Sequence, residues 1–302
     1  MTLPDFIPPM LAKSGEIFDS DDHVFEIKWD GTRAVSFVES GGYRMINRQR
    51  NVLTERYPEF EFLSGLPEGT VLDGEVTIFD GDGRPQFRLM LKREQGRGER
   101  RIAQLVQQYP GTYVVFDLLY DGGESVMNRP LRERRERLQE LVEAHPHPQL
   151  VFSDGIVGQG TAYFEQAESK ELEGVVAKRL SSKYIPGKRS DAWTKVKRRH
   201  QLPCAVVGFL PDGEKAVRSL VLGAQVDGEL RPVGRVGSGL TAAQRRALRR
   251  KFDACLRDAP FIPVRHPEAL WVDPGFYCTV SYLEWTADGQ LRAPVFEGLI
   301  DG

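Results

Sequence analysis

The chain has 302 residues, 40% of them hydrophobic and 28% charged, which is too apolar for a disordered polymer and long enough for one large domain or two ordinary ones. Lys+Arg 41 against Asp+Glu 43 leaves a net charge of −2, so a globally basic nucleic-acid coat is excluded and any basic face must be local. No run approaches the roughly 18 apolar residues of a membrane span, and MTLPDFIPPMLAKSGE lacks a basic-then-apolar leader, so a cytoplasmic place is expected.

Strand-like runs rich in β-branched and aromatic residues follow in order: HVFEIKWD, RAVSFVES, TVLDGEVTIFD and TYVVFDLLYD. Next comes the helix-like PLRERRERLQELVEAH. Leu131, Leu138, Leu141 and Val142 form its apolar stripe, and Arg/Glu cover the rest; its RERRER run reads as a balanced, solvated face. A shorter helical segment, GQGTAYFEQAESKELE, precedes the strands EGVVAK and DAWTKVKR. The crossovers are too irregular for repeated βαβ units, so the expected class is α+β with mainly antiparallel sheets.

Composition shifts after RRHQLP, and the stretch 199–203 reads as a basic, Pro-containing link. Beyond it come AVVGFLP, SLVLGAQVDG, LRPVGRVGSG, the basic helix TAAQRRALRRKFDACL, and the closing strands FYCTVSYLEWT and LRAPVFEGL. Five short strands with one helix suggest a small barrel of the oligonucleotide-binding (OB) type. The expected domains are 1–200 and 201–302. Cys204, Cys255 and Cys278 form no CxxC pair and no metal-ligand spacing with the five histidines, so they read as buried or indifferent thiols.

The chemistry gathers around an Asp/Glu-Gly pattern. Lys28-Trp29-Asp30-Gly31-Thr32-Arg33 ends one strand, Asp73-Gly74-Glu75 lies within another, and Phe116-Asp117 within a third. Glu173-Gly174 then opens EGVVAK, and Lys195 and Lys197 share one strand face. Metal-binding acids, a stacking aromatic and three lysines suit a triphosphate site in which a lysine attacks phosphorus.

The ordered set KWDGTR, INRQR, LDGE, VVFDLLY, EGVVAK and WTKVK resembles the successive motifs of the ATP-dependent DNA ligases, within the covalent nucleotidyltransferase superfamily. The likeness covers nearly the whole chain. It is nearest to bacterial ligases related to the ligase domain of the end-joining ligase, through FDLLYDGGESVMNRPLRERRERL, EGVVAKRLSSKYIPGKRSDAWTKVK and VSYLEWTADGQLRAPVFEGL. It implies a minimal two-domain enzyme: a nucleotidyltransferase (ATP-grasp-like ligase) core of antiparallel sheets and helices, plus a C-terminal OB-fold barrel.

The resemblance makes Lys28 the nucleophile that takes AMP from ATP. An unperturbed lysine amine, with pKa near ~10.4, is only about 0.04% deprotonated at neutral pH, so Lys195, Lys197 and a bound Mg²⁺ or Mn²⁺ are the sources of help. By the same likeness Glu26 reads the adenine amino group and Phe116 stacks on the base. Arg33 and Arg48 lie near phosphate and ribose, Glu75 binds the ribose, and Glu173, with Asp30 through water or only as a turn-former, receives the metal. In INRQRNVLT, Gln49-Arg50 stands where relatives show Asn-Gly. Arg292 is the one strong candidate for the final basic motif that orients pyrophosphate.

The implied partner is nicked duplex DNA, sealed by a monomer in repair, with a polymerase, nuclease or end-binding factors supplied by other proteins. Nine Lys/Arg against one acid in 178–200, interleaved with Tyr184 and Trp193, read as the DNA-tracking face, with Arg245, Arg246, Arg249, Arg250 and Lys251 as a second cluster. The competing readings are an RNA ligase or GTP-using capping enzyme, and a non-catalytic DNA-binding scaffold. Phosphate binding alone has no use for both Glu75 and Glu173, which argues against the scaffold.

Overall fold

The computed structural model describes residues 2–286 and 288–300. The chain divides into two compact units, Met1–Lys197 and Arg198–Gly302.

The first unit runs β1 (Leu11–Ser14), β2 (Ser20–Ile27), β3 (Thr32–Glu39), β4 (Gly42–Asn47) and β5 (Val71–Thr77), then α1 (Phe87–Glu94) and α2 (Glu99–Gln108). It continues through β6 (Thr112–Asp121), β7 (Glu124–Ser125), α3 (Leu131–Ala144), β8 (Leu150–Phe152), β9 (Gly155–Gly158), α4 (Gly160–Ser169), β10 (Gly174–Arg179) and β11 (Arg189–Lys197). Two sheets result, ordered β1-β11-β10-β2-β9 and β4-β3-β5-β6-β7, with β8 joining the second beside β6. Among the described residues of this unit only β1·β11 and β6·β8 are parallel pairs, in keeping with an α+β core of hairpins and meanders.

Register decides what each sheet presents. In the first sheet Glu26 pairs with Val176, which pairs with Lys195, while Lys178 pairs with Trp193. Because successive side chains alternate faces, Glu26, Val176, Lys178, Trp193 and Lys195 share one side. The intervening Ile27, Val175 and Val196 pack instead with Ala167 of α4 on the other. Gly174 is required at the start of β10: its φ is 142°, and a Cβ there would lie 2.0 Å from the Val196 carbonyl oxygen.

Two features depart from the sequence expectations. Helices α1 and α2 carry only Met90 and Leu105 as buried apolar residues, so their apolar stripe is too thin to read as periodic. In α3, Leu131 and Leu138 are buried as expected, but Arg134 and Arg135 are buried with them, so RERRER is not a solvated face.

The second unit contains β12 (His200–Asp212), β13 (Ala216–Val226), β14 (Glu229–Val236), α5 (Ala242–Asp253), β15 (Leu256–Arg257) and β16 (Leu270–Val272). It closes with β17 (Tyr277–Tyr282), β18 (Glu284–Trp285), β19 (Leu291–Arg292) and β20 (Val295–Ile300). The ladder β14-β13-β12 continues through β17 to β20, and a single Ser238–Val295 bridge brings β20 back to the end of β14. This strand order is consistent with an OB-type fold, although the ladder does not close and its ends meet at one bridge only. Thr241 and Gln244 form a capping box at the start of α5.

The stretch 199–203 is not a free link, because His200 already opens β12. Pro203 is accommodated opposite Thr279, since pairing on this strand alternates and Val206 N–H, three residues on, is the one donating to Phe276.

Candidate active site

A cavity of about 230 Å³ opens in the first unit, with Glu26, Lys28, Trp29, Val176, Lys178, Trp193 and Lys195 from one sheet and Arg33, Arg48, Glu75 and Phe116 from the other among its lining. Lys28 follows β2 directly, and its backbone N–H donates to the Gly174 carbonyl at 2.9 Å, so β2 delivers it beside Glu173. The Lys28 ammonium is paired with Glu173 Oε2, and Lys197 Nζ stands 2.6 Å from Glu173 Oε1. Burial, and then the charges of Lys28 and Lys197, hold Lys195 below the ordinary lysine range. The turn behind Lys28 needs Gly31, where a Cβ would sit 2.1 Å from the Val76 carbonyl oxygen; Thr77 Oγ1 also donates to the Asp30 carbonyl at 3.1 Å.

Deeper in, Glu26 is almost fully buried. One of its oxygens accepts from Arg135 of α3, and the other stands 2.8 Å from Lys178 Nζ. That ammonium lies 4.2 Å from the Phe116 ring centroid and 4.6 Å from that of Trp193, and burial holds its pKa down despite Glu26. The Trp193 indole N–H is buried with no acceptor among the described residues.

On the opposite wall Arg33 grips Asp73 with two hydrogen bonds, Nε to Oδ1 at 2.7 Å and Nη2 to Oδ2 at 2.6 Å, and its guanidinium lies 4.6 Å from the Phe116 centroid. Tyr184 donates to the same Asp73 at 2.6 Å. Glu75, register partner of Arg33, is half-buried. Burial pushes its carboxyl up to about 8, against the pull of Arg33 and Lys28. Arg48 stands exposed in the turn after β4. Arg50 of the same turn has φ 67°, the left-handed conformation that a Gly in the Asn-Gly pattern would supply without strain.

The fold therefore brings Glu26, Lys28, Arg33, Arg48, Glu75, Phe116 and Lys195 around one cavity, with Glu173 on the Lys28 ammonium and Lys197 on the other oxygen of that carboxylate. Arg292 lies in the second unit on β19, exposed, its Nη1 2.6 Å from Glu284 Oε1 across the β18–β19 hairpin. Among the described residues no group of three or more His, Cys, Asp or Glu is arranged to hold a metal. Glu173 and Asp30 thus build no protein cage. One carboxylate beside a phosphate site still fits Mg²⁺, which keeps its waters and binds largely through substrate phosphates.

The DNA-tracking face expected over 178–200 needs correcting. Period 2 on β10 and β11 turns Lys178 and Trp193 inward, and Tyr184, in the loop between those strands, is buried on Asp73; Arg179, Lys183, Lys188 and Arg189 remain exposed. In the second cluster, Arg245 is spent on the carbonyls of Leu240, Val217, Arg218 and Gly237. Sequence reasoning missed Lys178, Trp193, Arg135 and Asp73 as parts of the site. The available signal was positional: Lys178 is two residues from Val176, and Trp193 two from Lys195.

A lysine at a strand end, a cavity with an aromatic wall, and cations grouped with one carboxylate are the parts a covalent nucleotidyltransferase needs. A model of the ATP dependent DNA ligase domain matches residues 9–197, and one of the ATP dependent DNA ligase C terminal region matches residues 213–301. The chain belongs to the ATP-dependent DNA ligase family.

It is 35% identical over 310 residues to the multifunctional non-homologous end joining protein LigD of Pseudomonas aeruginosa, a match covering 98% of this chain and 36% of that protein. It is 30% identical to the SPbeta prophage-derived DNA ligase-like protein LigB of Bacillus subtilis, covering 97% and 98% of the two chains. Among solved structures, the ligase domain of Mycobacterium tuberculosis LigD superposes with a TM-score of 0.59 at 29% identity, covering 97% of this chain and 95% of that one. No helix among the described residues is long and apolar enough to cross a membrane.

Proposed function

We propose that this chain seals 3′-hydroxyl/5′-phosphate nicks in duplex DNA in three nucleotidyl-transfer steps, acting in the cytoplasm as a monomer in DNA repair. The observation that carries the reading is the meeting of Lys28, Glu173, Lys195 and Lys197 at the mouth of a cavity whose inner wall is Glu26, Phe116 and Trp193.

In the first step Lys28 Nζ attacks the α-phosphorus of ATP, a P–N bond forms, and pyrophosphate leaves with the electrons of the broken P–O bond. The attacking amine must first lose a proton, and Glu173 is the carboxylate already hydrogen-bonded to that ammonium. Lys195 and Lys197 offset phosphate charge as it redistributes. Mg²⁺, when bound through the phosphates, supplies further charge neutralisation, with Glu173 as the carboxylate at hand to receive it. The AMP then passes to the 5′-phosphate of the nick, and the 3′-hydroxyl displaces it.

Inside the cavity Phe116 and Val176 supply apolar faces for the base, Glu26 an acceptor for an exocyclic amine, and Glu75 and Arg48 polar contacts for ribose and phosphate. The unsatisfied Trp193 N–H and the mixed charged and aromatic lining fit a nucleotide. Arg292 of the second unit is assigned to pyrophosphate.

Incubation with α-labelled ATP or GTP and Mg²⁺, followed by denaturation, tests the reading. Label from ATP should stay on the native protein and be absent from Lys28→Ala, and the labelled protein should seal a nicked DNA duplex. Retention of label from GTP alone would instead favour a capping-type enzyme, and the absence of any retained label would sink the proposal.

A further inference from the structure

Consecutive residues of α3 reach into both sheets of the first unit. Arg134 donates to both oxygens of Asp117, at 2.7 and 2.9 Å, next to Phe116 on β6. Arg135 donates to Glu26 on β2, and to the Ser153 carbonyl at 3.1 Å. Neighbouring side chains on a helix point about 100° apart, so one turn of α3 can hold two strands that face each other across the cavity. Ser153 adds a further tie, since its hydroxyl accepts from the indole N–H of Trp29, beside Lys28, at 3.0 Å.

A buried carboxylate with two cationic partners is costly to assemble and contributes little net stability. Geometric specificity is the better account of such a group. Glu26 gives one oxygen to Arg135 and the other to Lys178. A carboxylate offers about four lone-pair sites, so with Arg135 and Lys178 on one oxygen each, about two remain to accept from a ligand donor. In a slot walled by Phe116 and Trp193, that selects a base carrying an N–H at the matching edge.

We propose that Arg135 is a positioning residue for base selection, fixing the Glu26 carboxylate so that it receives the exocyclic amine of adenine. The proposal rests on the nucleotide reading above. Lys178 acts with Arg135 from the opposite oxygen, where the Glu26 charge offsets part of the burial that lowers that lysine's pKa. The consequence is that base discrimination depends on a residue of α3 that is not among those lining the cavity.

The test compares ATP with the triphosphate of purine riboside, which lacks the 6-amino group, in forming the covalent enzyme–nucleotide. The native chain should favour ATP in kcat/KM by about tenfold or more, the worth of one hydrogen bond to a charged group. Arg135→Gln should shrink that preference to about twofold, mainly through KM for ATP, and Arg135→Lys should restore most of it. Should Arg135→Gln fail to fold, Lys178→Gln, which lies outside α3, is read in the same way. An undiminished preference in folded Arg135→Gln or Lys178→Gln overturns the proposal. A native chain labelled equally by both nucleotides removes Glu26 from base reading and the proposal with it, whereas a native chain labelled by neither defeats the ligase reading itself.

Discussion

Glu75 shows how one carboxyl can couple the site to the stability of its unit. Burial raises its pKa to about 8, so the folded chain binds a proton there between about pH 5 and 8 that the unfolded chain has released. Stability therefore falls as pH rises through this window, and the loss is complete above the folded pKa. Glu75→Gln removes the titration: its melting temperature should approach, then exceed, that of the native chain as pH climbs from 5 to 9. A constant gap across that range would mean that Glu75 stays ionised in the fold. The nucleophile makes a second prediction. Lys28→Ala should abolish enzyme–AMP yet still seal a nick that already carries AMP, because in the last step AMP only has to leave. Gel assays of the two substrates in parallel decide it, and ordinary labelling of the variant would take the nucleophile's role from Lys28.

At the scale of elements, α3 carries the sharpest energetic prediction. Arg134 and Asp117 are both fully buried, so Arg134→Met strands a carboxylate without its partner. The expected loss is about 3–5 kcal/mol, and Arg134→Met with Asp117→Leu should recover much of it. Denaturant unfolding of the single and double variants measures both. The same helix marks how far the sequence could be read. Strands β2, β3, β5, β6, β10 and β11 follow from β-branched runs, and Lys28, Glu75, Glu173 and Lys195 from motifs that recur in order. RERRER has the composition of a solvated face, and its charge balance looks local. The partners of Arg134 and Arg135 are Asp117 and Glu26, 17 and 109 residues away, and only strand register could disclose them. Lys178 is hidden for the same reason: a cation in a basic run gives no sign of which face of its strand it occupies.

At the scale of the whole molecule, the first and last steps of the proposed reaction make opposite demands. Enzyme–AMP formation needs a group behind the leaving pyrophosphate, whereas sealing needs the same approach open to DNA. Arg292, exposed on β19 and held by Glu284, is the residue of the second unit assigned to the first demand. Arg292→Ala should therefore slow enzyme–AMP formation far more than sealing of a pre-adenylylated nick. Single-turnover rates for each step settle the matter, and equal losses would leave Arg292 a structural part of its hairpin. Nick binding should weaken steeply with salt if phosphate contacts dominate, and removing exposed cations such as Lys183 and Lys188 should flatten that slope by about 0.9 per lost contact.

The thiols give the two units separate voices. All three cysteines lie beyond residue 198, so any thiol-directed reagent reports on the second unit and is blind to the first. Cys204 and Cys278 face each other in register on β12 and β17, both fully buried, and burial pushes each thiol up to about 12; Cys255 is partly open. A native chain should thus take up one equivalent of maleimide promptly and two more only when the β12–β17 ladder parts. Because those two sulfurs are released by the same opening, their uptake should be a single kinetic phase, and its rate would serve as a clock for the second unit alone.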